Sequence, residues 1–159
     1  MSNITESRAP AQVDVRGPRF VAWVTTGVLV ATLLISTVSS AAAAVILGVQ
    51  AVVFAIGAAR GPRAHPYGVV FATAVAPRLG PVTEREPVPP LKFAQLVGLT
   101  FAVVGVISFS SGLVTLGLVA TGFALVAAIL NAAFGICLGC QLYPLAVRLR
   151  PKSRSTATT

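Results

Sequence analysis

The sequence predicts an all-α membrane protein: a four-transmembrane-helix bundle made of two helical hairpins joined by a proline-rich cytoplasmic loop. Three observations carry that prediction. The chain of 159 residues is 55% hydrophobic and only 10% charged, whereas a soluble domain is about one quarter charged. So few charges cannot cover a surface of this size in water. Four apolar runs, at 20–38, 41–59, 93–109 and 113–134, each approach the roughly 20 residues that a helix needs to cross a hydrocarbon core about 30 Å thick. All twelve lysines and arginines fall outside these runs, and neither short connection between runs holds one.

Residues 1–19 form a polar tail with Glu6, Arg8, Asp14, Arg16 and Arg19, read as a solvated or interface-lying segment. No small-residue cleavage site separates the first run from soluble sequence, so that run reads as a retained helix. Trp23 lies near its start, where an aromatic-belt residue belongs. Thr25, Thr26, Thr32 and Ser36 can bond back to their own helix carbonyls, which makes them inexpensive in lipid.

Ser39 and Ser40 are the only interruption before the second run. A single helix through both would be twice the length of one crossing, so two antiparallel helices with a tight turn are expected. Ala41 to Ala44 allow close helix approach, and Gln50 reads as a buried polar residue bonding a neighbouring helix.

Residues 60–92 are the long connection. Pro62, Pro66, Pro77, Pro81, Pro87, Pro89 and Pro90 interrupt helix there and remove backbone donors. The milder stretch 67–76 is expected to form a short interfacial helix. In the third run Gly98 and Gly105 are seven apart and so share one helix face, which marks a close-packing stripe. Ser108, Ser110, Ser111 and Gly112 form the next turn. The fourth run leads into Gly135 and Gly139, a small-x-x-x-small pair. One membrane domain therefore covers 20–150, and a basic tail covers 151–159.

Net charge is +8, a balance that suits nucleic acid or an anionic membrane. The basic residues flank the apolar runs, so the partner is the lipid bilayer and not nucleic acid. Tail, loop and tail carry every lysine and arginine, and with four crossings all three lie on one side. The positive-inside rule makes that side cytoplasmic, with both termini there, in the inner (plasma) membrane. No Asp, Glu, Lys, Arg or His falls inside a run, which argues against a proton or ion path through charged intramembrane groups.

The chemistry rests on the only two cysteines, Cys137 and Cys140, in a C-x-x-C at the loop-side end of the fourth run. At i and i+3 on one helix face their sulfurs can meet. The pair could cycle between dithiol and disulfide, handle sulfur, or bind a soft metal; it could also be inert packing, since free cysteine behaves as a small apolar residue. Metal is short of ligands: with the sole histidine, His65, the pair makes three, and a closed zinc site needs four. No haem-attachment, phosphate-loop or nucleophile-elbow motif is present, so no cofactor is expected. At the C-terminal end of a helix the dipole opposes thiolate. Reactivity there calls for a compensating positive group, with His65, Arg63 and Arg78 as candidates, or for a break at Gly139 and a new helix starting near Cys140. Asn131, about two turns before Cys137, could orient a sulfur or bridge helices.

Four motifs occur in order: H-P-Y-G at 65–68, P-R-L-G-P at 77–81, P-P-L-K-F-A-Q at 89–95 and F-G-I-C-L-G-C-Q-L-Y at 134–143. Over about 13–150 the chain resembles the bacterial membrane proteins of the domain of unknown function 4395 family, frequent in actinobacteria. The resemblance implies a small multi-pass membrane protein with family motif positions at His65, Pro66, Arg78, Cys137 and Cys140. It also implies a thioredoxin-like or sulfurtransferase protein as partner. Three functions are therefore carried forward. The first is a thiol-redox or sulfur-handling membrane partner, with Cys137 attacking, Cys140 resolving, and the loop around His65 and Arg78 in support. The second is a non-catalytic structural or assembly subunit, self-associating as a homo-oligomer. The third is a carrier of sulfur anions. None requires an enzyme in the strict sense.

Overall fold

The computed structural model describes residues 11–149. Four helices dominate: α1 (Arg16–Ser36), α2 (Ser40–Arg60), α4 (Val88–Ser110) and α5 (Val114–Phe134). Each is long and apolar enough to cross a membrane. Between α2 and α4 lie a short helix α3 (Pro66–Val70), a π-helical turn over Phe71–Val75 and a 3-10 turn over Ala76–Arg78. A last helix, α6 (Leu138–Leu149), follows α5. Residues 1–10 of the polar tail, residue 150 and the basic tail 151–159 lie outside the described residues.

Two helices begin earlier than the apolar runs suggest. Helix α4 starts at Val88, so Pro89 and Pro90 occupy its first turn. Proline is tolerated there because those N–H groups have no intrahelical partner in any case. Helix α1 starts at Arg16 because Asp14 closes its first turn, accepting from the Arg16 N–H at 3.0 Å while pairing with its guanidinium at 2.8 Å. The turn between α1 and α2 is set by Ser39, whose side chain accepts from Ala42 N–H at 3.2 Å. Gly112, with φ of +79°, makes the turn between α4 and α5.

Helix α2 packs most extensively against α4, and α1 against α5. The glycine stripe explains the first contact. A Cβ on Gly98 would stand 3.0 Å from Phe54, and one on Gly105 would stand 2.5 Å from Leu47 Cδ2. Leu29, Ala43, Leu47, Phe54, Ala102 and Phe109 fill the centre. Large apolar side chains such as Leu34, Val45, Val52 and Ile107 point outward. Hydroxyls inside the bundle bond back to their own helices: Thr26 to the Ala22 carbonyl, Thr32 to Val28, Ser108 to Val104 and Thr121 to Gly117, all at 2.7–2.9 Å.

The starts of α1 and α4 and the ends of α2 and α5 are tied together at one end. Lys92 Nζ donates to the Ala59 carbonyl at 2.7 Å, and Arg19 donates to Ala133 O at 3.4 Å. Two three-residue strands cover this end, β1 (Gln12–Asp14) and β2 (Arg85–Pro87), paired antiparallel with Val13 opposite Glu86. Residues 66–78 are helical, as the stretch 67–76 suggested, and dock through buried Phe71, whose ring meets Phe20 at 5.7 Å.

Candidate thiol site

The site is made by one glycine. Gly135 adopts φ of +68°, the left-handed conformation that favours a residue without Cβ. Its N–H donates to Asn131 O, and Ile136 N–H donates to Leu130 O, both at 3.1 Å. Helix α5 therefore stops at Phe134, and α6 begins at Leu138.

This corrects the placement of the cysteines read from sequence. They do not sit on the last turn of the fourth span, and the break falls at Gly135, not Gly139. Gly139 lies inside α6 against α4, where an added Cβ would come 2.5 Å from Ala94 Cα. Gly135 and Gly139 are thus on different elements, with separate tasks: one ends a helix, the other docks the next.

Cys137 immediately precedes α6. The Cys140 N–H donates to its Sγ at 3.3 Å, the bond that a side chain capping a helix N-terminus makes to the third helical residue. The helix dipole there favours a negative sulfur, the reverse of the polarity expected for the end of α5. Hydrogen bonding from the Cys140 thiol, with the backbone N–H groups of Cys140 and Gly139, holds the Cys137 thiol below the ordinary cysteine range against partial burial. Cys140 is pushed up, first by its hydrogen bond to Cys137 and then by burial. Both are free thiols and partly accessible. The helix start and the Cys140 hydrogen bond favour the charged form at Cys137, and burial with the same hydrogen bond opposes it at Cys140.

Among the described residues, none of the expected positive groups acts on the pair. The charge acting on both cysteines is Glu86, a carboxylate that opposes thiolate. Strand β2 carries it there, and its own pKa is raised, chiefly by burial and secondarily by Glu84, with Arg19 opposing. Neither Glu86 nor Arg19 has a periodicity or motif signal in the sequence; the β1–β2 pairing brings them in. Arg78 is exposed and donates to Ala74 O at 2.8 Å, closing its own turn. Arg63 donates to Gln12 O at 3.4 Å.

His65 belongs to a different cluster. It is 1% exposed, with neither ring nitrogen hydrogen-bonded. Burial lowers its pKa to about 4, with Gln95 as the opposing influence, so the ring is neutral at physiological pH and supplies no positive potential. Its ring meets Tyr67 edge-on at 5.4 Å, and Tyr67 OH donates to Gln50 Oε1 at 2.9 Å. Gln50 thus bonds α3 rather than another long helix.

Between the long helices and α6 lies a mostly apolar cavity of about 300 Å³. Cys137 and Gly139 form part of its wall at the loop end, Phe101 and Phe123 part of it nearer mid-bundle. Asn131, Gln95 and Thr25 are its polar lining. Sequence reasoning saw Asn131 near the cysteines but had no signal for the cavity. Among the described residues no group of three or more His, Cys, Asp or Glu is placed to hold a metal ion.

No curated protein and no solved structure matches the chain. A sequence model of the family described as Domain of unknown function (DUF4395) matches residues 13–148, a span that takes in the four long helices and both cysteines. The chain belongs to that family.

Proposed function

We propose that this is a multi-pass membrane protein whose Cys137–Cys140 pair performs thiol–disulfide chemistry. The observation that carries the reading is the position of Cys137 at the head of α6, accepting the Cys140 N–H at 3.3 Å. A low-pKa sulfur beside a thiol that retains its proton is the division of labour that an attacking and a resolving cysteine need. Attack by Cys137 on a partner's disulfide or persulfide would form a mixed species, which Cys140 then resolves. A thioredoxin-like or sulfurtransferase protein is the partner class that fits, docking on the basic, proline-rich end. By the positive-inside rule that end faces the cytoplasm, and the bundle comprises two hairpins joined by the loop.

The test is equilibration of the purified full chain with glutathione buffers of graded potential, followed by quantification of free thiols. An internal disulfide that forms at a defined potential, and is lost in Cys137→Ser and Cys140→Ser, is the expected result. No internal disulfide at any ratio would leave the pair as packing. The topology is checked separately in intact cells. Ser111→Cys in the opposite turn should react with an impermeant maleimide, and Cys137 should not.

A further inference from the structure

The cavity behind Cys137 has properties that packing alone does not explain. Thr26 and Thr32 of α1 satisfy their hydroxyls on their own helix. Thr25 does not. It lines the cavity, is 4% exposed, and its hydroxyl has no partner. A buried hydroxyl without a hydrogen bond is costly, so such a group commonly marks the place of a missing partner. Asn131 adds a second polar side chain; Gln95, also in the wall, turns its Oε1 away toward Gly57 and His65. The rest of the lining is apolar, the composition of a site that takes a flat, mainly apolar ligand with a few polar atoms. Its volume of about 300 Å³ lies at the lower end of small-molecule sites, which begin near 300 Å³. A sulfur sits in the wall.

We propose that this cavity receives the head group of a membrane quinone, which oxidises the Cys137–Cys140 dithiol. This inference rests on the thiol-redox reading above. Thr25 and the Asn131 amide offer donors to the quinone carbonyl oxygens. The Cys137 thiolate adds to the quinone, the Cys140 sulfur then attacks Cys137, and an S–S bond forms as the quinone fragment leaves. The two thiols lose two electrons and two protons; the quinone gains both and departs as hydroquinone. A quinone reaches the site from lipid, which suits a cavity lined by the long helices. A water-soluble dithiol partner would then reduce the Cys137–Cys140 disulfide, the reverse of the exchange written above, and its electrons would pass to the membrane pool.

The experiment uses the full chain in nanodiscs, reduced and freed of reductant, mixed with tetramethylbenzoquinone. That quinone has no unsubstituted ring carbon, so thiols cannot trap it as a stable adduct. Hydroquinone should appear in one equivalent per chain, with an internal disulfide and loss of free thiol. Ala127→Phe, which fills the cavity from α5, and Thr25→Val, which removes the hydroxyl without changing shape, should each slow this at least about fivefold, as loss of fit or of one hydrogen bond predicts. Both should leave oxidation by glutathione disulfide unchanged. If glutathione disulfide forms the internal bond but the quinone does not, the quinone assignment falls and the redox reading stands. Quinone reduction at the wild-type rate in both variants also overturns the cavity assignment. If neither oxidant yields the disulfide, both readings fall together.

Discussion

The turn end and the loop end are packed by opposite rules. Toward the short turns, Gly105 brings α4 against the tip of Leu47, and hydroxyls close onto their own helices. At the loop end, Gly139 brings α6 against the backbone of α4. From there to the middle of α1 and α2, buried polar atoms of His65, Gln95, Gln50 and Thr25 have no hydrogen-bond partner. The first region is self-sufficient. The second holds unpartnered polar atoms, one of them, Thr25 Oγ1, in the wall of the cavity that a thiol also lines, which is where binding and chemistry belong.

The same substitution made in both regions separates them. Gly139→Ala sets a methyl against Ala94 Cα, so α6 must shift as a body; a loss of about 3 kcal/mol is expected, near the top of the range for overpacking. It should show as a lowered unfolding temperature in detergent, with faster alkylation of Cys140 as α6 lifts. Gly105→Ala meets the end of the Leu47 side chain and, at 3.3 Å, the Thr121 hydroxyl, side-chain atoms that yield more readily than backbone, and should cost about 1 kcal/mol. Equal losses at both positions would erase the contrast.

Next in size is a pH effect confined to the loop end. His65 has its pKa lowered to about 4 in the fold, against about 6.5 unfolded. Above pH 6.5 neither state holds the proton, and the fold has its full stability. As pH falls from about 6.5 to about 4 the unfolded chain gains a proton that the fold refuses, and up to about 3 kcal/mol is lost. Thermal unfolding in detergent across that window should show the decline, and His65→Phe should flatten it.

The smallest effect concerns the carboxylate beside the sulfurs. Glu86→Gln removes a charge that opposes thiolate, so alkylation of Cys137 at neutral pH should quicken about two- to threefold, as expected for a partly screened charge. A slower reaction would mean that Glu86 acts on Cys137 through something other than its charge.

The two regions also differ in how far the sequence discloses them. The long helices were legible because apolar length and the confinement of charge are properties of contiguous sequence. So was the Gly98–Gly105 face, which depends only on helical period. The errors of extent have local causes: Pro89 and Pro90 look like loop but sit in the one turn of a helix that accepts them. The thiol site was legible in its cysteines and obscure in everything around them. Two glycines four apart read as one packing stripe, and only the left-handed backbone at Gly135 divides it. Glu86 reaches the sulfurs because β1 and β2 pair across some seventy residues of chain, a relation no local pattern encodes. His65 looked like a loop cation and is a neutral core group, because α2, α3 and α4 close over it.

Gly135 carries a consequence of its own. A methyl there would oppose the turn and favour carrying α5 onward into α6, leaving both sulfurs inside one continuous helix without the free N–H groups of a helix start. The missing methyl lets a new helix start at Cys137, so the nucleophile's strength is set by a position that never touches it. Within this family, a side chain at 135 would be a sign of dormant thiols even where both cysteines persist.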